Sequence, residues 1–245
     1  MKKLILSFSL ILTLTCLGFS NLWANYPIVV GLSKLQAEDR EVKNFNGVAA
    51  GGPINVVITL GNTESLRFEG DADAIATLIT EVKGNILIIR PQNSWTSWAK
   101  KYENKKITAY VSAKMLKSLT MSGNGSMSVN GTIKGSALAA TLSGSGNITA
   151  NTEVKDFTGV ISGSGKLNIA GKADNATITI SGSGSFAKSS FVANHLSTQI
   201  SGSGSVNINA AKSIEAVISG SGNVNYSGNP TVEKTVIGSG RVRKI

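Results

Sequence analysis

Residues 177–186 read Thr177-Ile178-Thr179-Ile180-Ser181-Gly182-Ser183-Gly184-Ser185-Phe186. A polar/apolar alternation runs into Ser-Gly-Ser-Gly and resumes beyond it. Period-two alternation marks a strand with one buried face. The same four-residue motif recurs at 143–146, 162–165, 201–204 and 219–222. A variant, Ser122-Gly123-Asn124-Gly125, precedes the series, and a shortened Gly238-Ser239-Gly240 closes it. The motif positions 122, 143, 162, 181, 201, 219 and 237 are 21, 19, 19, 20, 18 and 18 residues apart, giving seven copies of a unit of roughly 19 residues.

The flanks of the motif align as well. Directly before it stand Met121, Leu142, Ile161, Ile180, Ile200, Ile218 and Val236. Two residues after it stand Met127, Ile148, Leu167, Phe186, Val206, Val224 and Val242. Five residues before it stand Leu138, Phe157, Ala176, Leu196, Ile214 and Val232. A strand pattern repeating at this length predicts a parallel β-solenoid, in which equivalent positions stack about 4.8 Å apart. One coil cannot bury its apolar face, but a stack closes a continuous core. Gly serves the tight corners because it reaches positive φ freely, and Ser bonds to nearby backbone or stacks as a hydroxyl ladder. A flexible Gly/Ser linker has no aligned apolar columns. Calcium-binding rolls need acidic turn residues, and these turns contain none.

Composition excludes several function classes. The 245 residues include one Cys and one His, so neither a disulfide framework nor a multi-His metal site can form. Residues 1–24 read as an export signal: Lys2 and Lys3, an apolar run over 4–19, then cleavage after Ser20 or Ala24. Cys16 lacks lipoprotein context, since Thr13 and Thr15 occupy the positions where an aliphatic and a small residue are needed. Beyond the signal no stretch is apolar enough to span a bilayer as a helix. The mature chain carries 22 basic and 14 acidic side chains, a net +8. That balance favours anionic partners such as acidic glycans, lipid headgroups or envelope polymers. Export argues against nucleic acid, for which no motif is present.

Residues 25–40 read as a linker, and 41–245 as one domain in two parts, 41–118 and the repeats 119–245. The first part is β-rich: 53–58 alternates, and 66–68, 86–89 and 107–111 are further strand candidates. Ile75, Leu78, Ile79 and Val82 share a helical face with Asp71 or Asp73 as its cap, predicting one short helix. This part is expected to cover the first coil, and Arg241, Arg243 and Lys244 to discourage end-to-end stacking at the last.

Phe45-Asn46-Gly47-Val48, Glu81-Val82, Tyr110-Val111, Leu116-Lys117-Ser118-Leu119, the Ser-Gly-Ser-Gly coils and Tyr226-Ser227-Gly228-Asn229-Pro230 together resemble the putative auto-transporter adhesin head domain, or head GIN domain, family. The resemblance covers about residues 41–245. It implies an all-β, right-handed parallel β-solenoid exported to the envelope or cell surface, and no enzyme activity. No stretch remains for the membrane strands of a translocator barrel.

Candidate contacts follow from chemistry. Trp95, Trp98 and Tyr102 interleave with Lys100, Lys101, Lys105 and Lys106 in an expected loop. Flat rings beside cations suit sugar rings and acidic groups, though aromatics more commonly serve packing, here over the solenoid end. Glu215 and Glu233 occupy equivalent positions in adjacent coils, a carboxylate spacing that retaining glycosidases also use. Each follows an inward column and is expected to face solvent. His195 is expected to be a surface or packed imidazole, and Asn147 and Asn223 to make turn bonds. The sequence thus predicts a non-enzymatic exported interaction module without cofactor, metal or catalytic residues, its partner a cell-surface glycan or envelope polymer. The alternatives are a structural envelope protein without ligand and a polysaccharide-active solenoid enzyme.

Overall fold

The structure, a computed structural model, describes residues 35–102 and 105–245. The expected export signal, Cys16 and residues 25–34 of the expected linker lie outside the described residues. In chain order the first part comprises β1 (Leu35–Arg40), β2 (Gly47–Gly51), β3 (Asn55–Leu60), β4 (Ser65–Asp71), α1 (Ala72–Ala76), β5 (Leu78–Lys83), β6 (Ile86–Pro91), α2 (Trp95–Lys101) and β7 (Ile107–Ala113). The repeats form β8 (Ser118–Gly123), β9 (Ser126–Gly144), β10 (Asn147–Gly163), β11 (Lys166–Gly182), β12 (Ser185–Gly202), β13 (Ser205–Gly220), β14 (Asn223–Ser227), β15 (Thr231–Gly238) and β16 (Arg241–Lys244).

The repeats build a β-solenoid whose coils pair in parallel. Ile161 lies beside Leu142 and Ile180, and Leu167 beside Ile148 and Phe186, so the columns of the sequence are the ladders of the structure. A straight strand of the length of β10, 17 residues, would span about 56 Å. The chain instead bends at each motif. Gly144 has φ +113, and a Cβ there would lie 2.6 Å from the Gly123 carbonyl oxygen. That carbonyl accepts the Ser145 and Gly146 N–H groups at 3.1 and 2.9 Å. Backbone is therefore stacked on backbone at the turn, with no room for a side chain.

Along each coil a pre-turn segment such as 158–162 leads into the motif, a post-turn segment such as 166–169 leaves it, and a return segment such as 171–176 completes the repeat. The core between them contains Met121, Leu142, Ile161, Ile180, Ile200 and Ile218, all fully buried. Phe157, Phe186 and Phe191 pack with centroids 5.1 to 5.8 Å apart. Gly159 leaves the space for this cluster, since a Cβ there would lie 3.1 Å from Phe157 Cε1.

The first part is more than a cover. β2 pairs in parallel with β8 on one side and β6 on the other, while β3 pairs with β9 and β7. Two further rungs, β2–β3 and β6–β7, thus continue the ladders beneath the motif-bearing coils. Their spatial order departs from chain order: the earlier rung, β2–β3, lies between the later rung, β6–β7, and the repeats. Gly51-Gly52-Pro53-Ile54 takes the place of the motif, with Gly52 at φ +88. Antiparallel strands then close the end, β4 on β7, β1 on β4 and β5 on β6.

Three local expectations are corrected. Residues 35–40, read as linker, form β1, because Arg40 is anchored: its guanidinium donates to the Leu78 and Ile75 carbonyls at 2.7 and 2.9 Å and lies over the Phe68 ring at 4.8 Å. The short helix forms as α1 with Asp71 as its cap, but Leu78, Ile79 and Val82 belong to β5. There the pairing to β6 satisfies the backbone, and β-branched side chains suit the extended form. The aromatic-lysine segment, read as a loop, is the helix α2.

Candidate functional site

Register in the solenoid converts sequence columns into surface rows. The pre-turn flank presents three outward columns. One holds Ser118, Ala139, Thr158, Thr177 and Ser197, and the next Thr120, Thr141, Val160, Thr179 and Gln199. The third holds Ser122, Ser143, Ser162, Ser181 and Ser201, all exposed. From 118 to 201 these columns contain no charged side chain, on a chain whose net charge is +10. Hydroxyls recur about 4.8 Å apart along the stack and about 6.7 Å apart across it. Among the described residues no hydrogen bond joins two turn Ser hydroxyls, so the expected hydroxyl ladder does not form. The side-chain ladder that forms is on the post-turn flank, where Asn168 donates to Asn147, Asn225 to Asn207 at 2.8 Å, and Arg243 to Asn225 at 2.6 Å. Asn147 also donates to Thr149, so it joins a ladder, while Asn223 makes the expected turn bond to the Ser221 carbonyl.

The return flank collects charge. Glu153, Lys155, Lys172, Asp174 and Asn194 line an open groove of ≈ 420 Å³ with Val154, Ala173 and Val192 on its wall. Asn194 donates to Asp174 at 3.1 Å, Asn175 to Asp156 at 2.8 Å, and Lys134 pairs with Glu153 at 3.8 Å. His195 hydrogen-bonds with Ser213 at 2.8 Å through Nδ1, at the surface. This grouping was missed from sequence, although the same 19-residue register aligns its members and shows it.

On the rung formed by β6 and β7, α2 replaces the turn. Trp98 faces inward, 4% exposed, and its Nε1–H donates to Thr77 Oγ1 at 2.7 Å. Its ring meets Tyr102 at 5.1 Å, and the Lys101 ammonium sits 5.2 Å from the Tyr102 ring centroid. Thr77, Asn93, Ser97, Trp98, Lys101 and Tyr102 line a small pocket of ≈ 100 Å³. Lys100, Lys105 and Lys106 are exposed. Lys105 is committed to Asp71 at 2.8 Å, which leaves Lys100 and Lys101 as the cations of the predicted contact set that face outward from α2. Trp98 therefore positions the helix and the pocket wall. The Trp95 side chain lies outside the described residues. The hydrogen bond from Lys105 holds the Asp71 carboxyl below the usual carboxylate range, aided by the Ala74 N–H and opposed by partial burial.

Glu215 and Glu233 are register partners and both are exposed. Among the described residues no three His, Cys, Asp or Glu side chains cluster as a metal site. No helix among them is long and apolar enough to cross a membrane.

A family described as "Putative auto-transporter adhesin, head GIN domain" matches residues 44–230. The chain belongs to this family. The match begins just before β2 and ends just before β15, so it spans the two lower rungs of this head GIN domain and all but its last coil. A crystal structure described as a putative adhesin of Bacteroides fragilis is 25% identical, with TM-score 0.77, covering 86% of this chain and 97% of that one. A putative adhesin of Parabacteroides merdae is 22% identical with TM-score 0.67, covering 87% and 97%. A structure described as a putative lipid binding protein of Parabacteroides distasonis is 21% identical with TM-score 0.68, covering 86% and 96%. No curated protein matches.

Proposed function

We propose that this head GIN domain is an exported, non-enzymatic, adhesin-like interaction module of the cell envelope or surface. Its pre-turn flank engages an extended glycan or envelope polymer, and Lys100 and Lys101 on α2, with Tyr102 just after it, add contacts at the turn edge. The observation that carries this reading is the flank itself: outward columns of uncharged, mostly hydroxyl-bearing side chains from 118 to 201. A polymer with a repeated hydroxyl pattern meets such a row over many weak, equivalent contacts, whose effects multiply along the chain. Family membership and the B. fragilis neighbour support the adhesin-like kind.

The test is capture of isolated envelope and capsular polysaccharides by the purified mature protein. Thr141→Lys with Thr179→Lys places charge and bulk on the flank while leaving the core untouched, and it is expected to abolish capture with the circular dichroism spectrum unchanged. Lys100→Gln with Lys101→Gln is expected to weaken capture of acidic polymers alone. Capture unaffected by the flank pair, or release of new reducing ends from any polymer, sinks the reading. A C-terminal tag removed by protease from intact cells supports the surface. Protection until the envelope is broken supports the periplasm, and the adhesin role is then abandoned.

A further inference from the structure

The last coil breaks the rules of the coils before it, and in a consistent direction. Where the turn column carries Ser at 122, 143, 162, 181, 201 and 219, the final coil has Ile237, 69% exposed. Lys234 stands in the inward column above Ala216, and Lys244 in the column above Tyr226. Arg241 and Arg243 continue columns that hold Asn223 and Asn225. Val236, in the inward column above Ile218, and Ile245 are exposed on the same coil, Ile245 at 64%. The final coil therefore carries four cations, Lys234, Arg241, Arg243 and Lys244, against one carboxylate side chain, Glu233, together with the exposed aliphatic side chains Ile237 and Ile245. None of these cations has an ion-pair partner among the described residues, whereas Arg40, Lys105 and Lys114 in the N-terminal part each do.

We infer that this tip docks on a bilayer containing anionic phospholipid, with Ile237 and Ile245 entering the headgroup boundary and the four cations meeting lipid phosphates. A guard against end-to-end stacking accounts for inward lysines alone. It leaves unexplained an isoleucine in place of a surface serine, which is the wrong residue for keeping an end soluble. A second copy of the chain is disfavoured, because head-to-head stacking would oppose Lys234 and Lys244 to their own copies. Aliphatic insertion and a basic patch are each weak membrane signals that become effective together. The inference goes beyond the flank reading and does not depend on it, since the flank test uses no lipid.

The experiment is cosedimentation of the mature protein with vesicles of phosphatidylcholine alone and of equal parts phosphatidylcholine and phosphatidylglycerol. Binding is expected to the anionic vesicles only and to fall with added salt. Ile237→Ser, which restores the residue of the other coils, combined with Ile245→Ser should reduce it strongly. Arg241→Gln and Arg243→Gln should reduce it by about fivefold per charge removed. Ile237→Trp supplies a second readout, a blue shift of the added indole emission on anionic vesicles. Equal binding to both vesicle types, no binding, or tip variants that bind like the parent overturn the inference. So does a concentration-dependent self-association that Ile237→Ser abolishes, which would make the tip a contact between copies.

Discussion

At the scale of single residues the turn glycines and one buried hydroxyl decide most. Gly182 has φ +116, and a Cβ there would stand 2.6 Å from the Gly163 carbonyl oxygen. Gly182→Ala combines backbone strain with overpacking against main chain that cannot yield, at about 2–5 kcal/mol. A lowered denaturant midpoint at unchanged slope checks this. Thr198 lies inward between Ile178 and Ala216, 3% exposed, and its Oγ1 has no hydrogen-bond partner. An orphaned buried hydroxyl forfeits its hydration without compensation. Thr198→Val keeps the shape and should stabilise the protein by about 1–2 kcal/mol, read as a rise in melting temperature. The alternation in the sequence shows that Thr198 points inward. That nothing meets its hydroxyl depends on the apolar coils above and below.

At the scale of elements the N-terminal part is held by a few polar anchors. Asp71 accepts the Ala74 N–H at 3.1 Å and the Lys105 ammonium at 2.8 Å, so one carboxylate starts α1 and ties the chain leading into β7 to β4. Its carboxyl is depressed in the folded state, chiefly by the Lys105 hydrogen bond. The stability it contributes is therefore complete above the unfolded carboxylate value and is lost as pH falls through the lower folded value. Asp71→Ala should cost about 1 kcal/mol at neutral pH, the usual cost of losing a cap. Its difference from the parent should shrink in acid below about pH 4, as pH-dependent unfolding curves would show. The cap was legible as an Asp ahead of an apolar periodicity. The helix length was not, because Leu78, Ile79 and Val82 match a helical face by spacing, and the pairing of β5 with β6 is invisible locally. In α2 the sequence left Trp98 between packing and an aromatic-basic contact, and Thr77, 21 residues away in sequence, takes the indole N–H and turns the ring inward.

At the scale of the whole molecule stability passes from coil to coil. Repeat proteins are stabilised chiefly by contacts between neighbouring units. Phe157 of β10 and Phe186 of β12 meet in the core, and Phe191 touches both. Phe186→Ala should cost about 3–5 kcal/mol and open the stack at its middle. Amide exchange should then accelerate in β11, β12 and β13 before the N-terminal rungs, whereas a uniform loss of protection would show that the stack unfolds as one unit.

The sequence alone determined the solenoid, its seven motif-bearing coils, the membership of each inward column and the approximate position of α1. These follow from local periodicity, and a stack of equivalent units converts local periodicity directly into register. The neutral character of the pre-turn flank was written there too, since columns that alternate with buried ones must face out. Only the tertiary structure decided that Gly51-Gly52-Pro53-Ile54 is a turn of the same kind, that the β2–β3 rung sits between the β6–β7 rung and the repeats, and that Arg40 draws residues 35–40 into the sheet. Only the structure also separated the buried Trp98 from the outward Lys100 and Lys101. Each of these rests on contacts between segments far apart in the chain, formed by carbonyls, ring faces and unpaired strand edges whose partners no local pattern specifies.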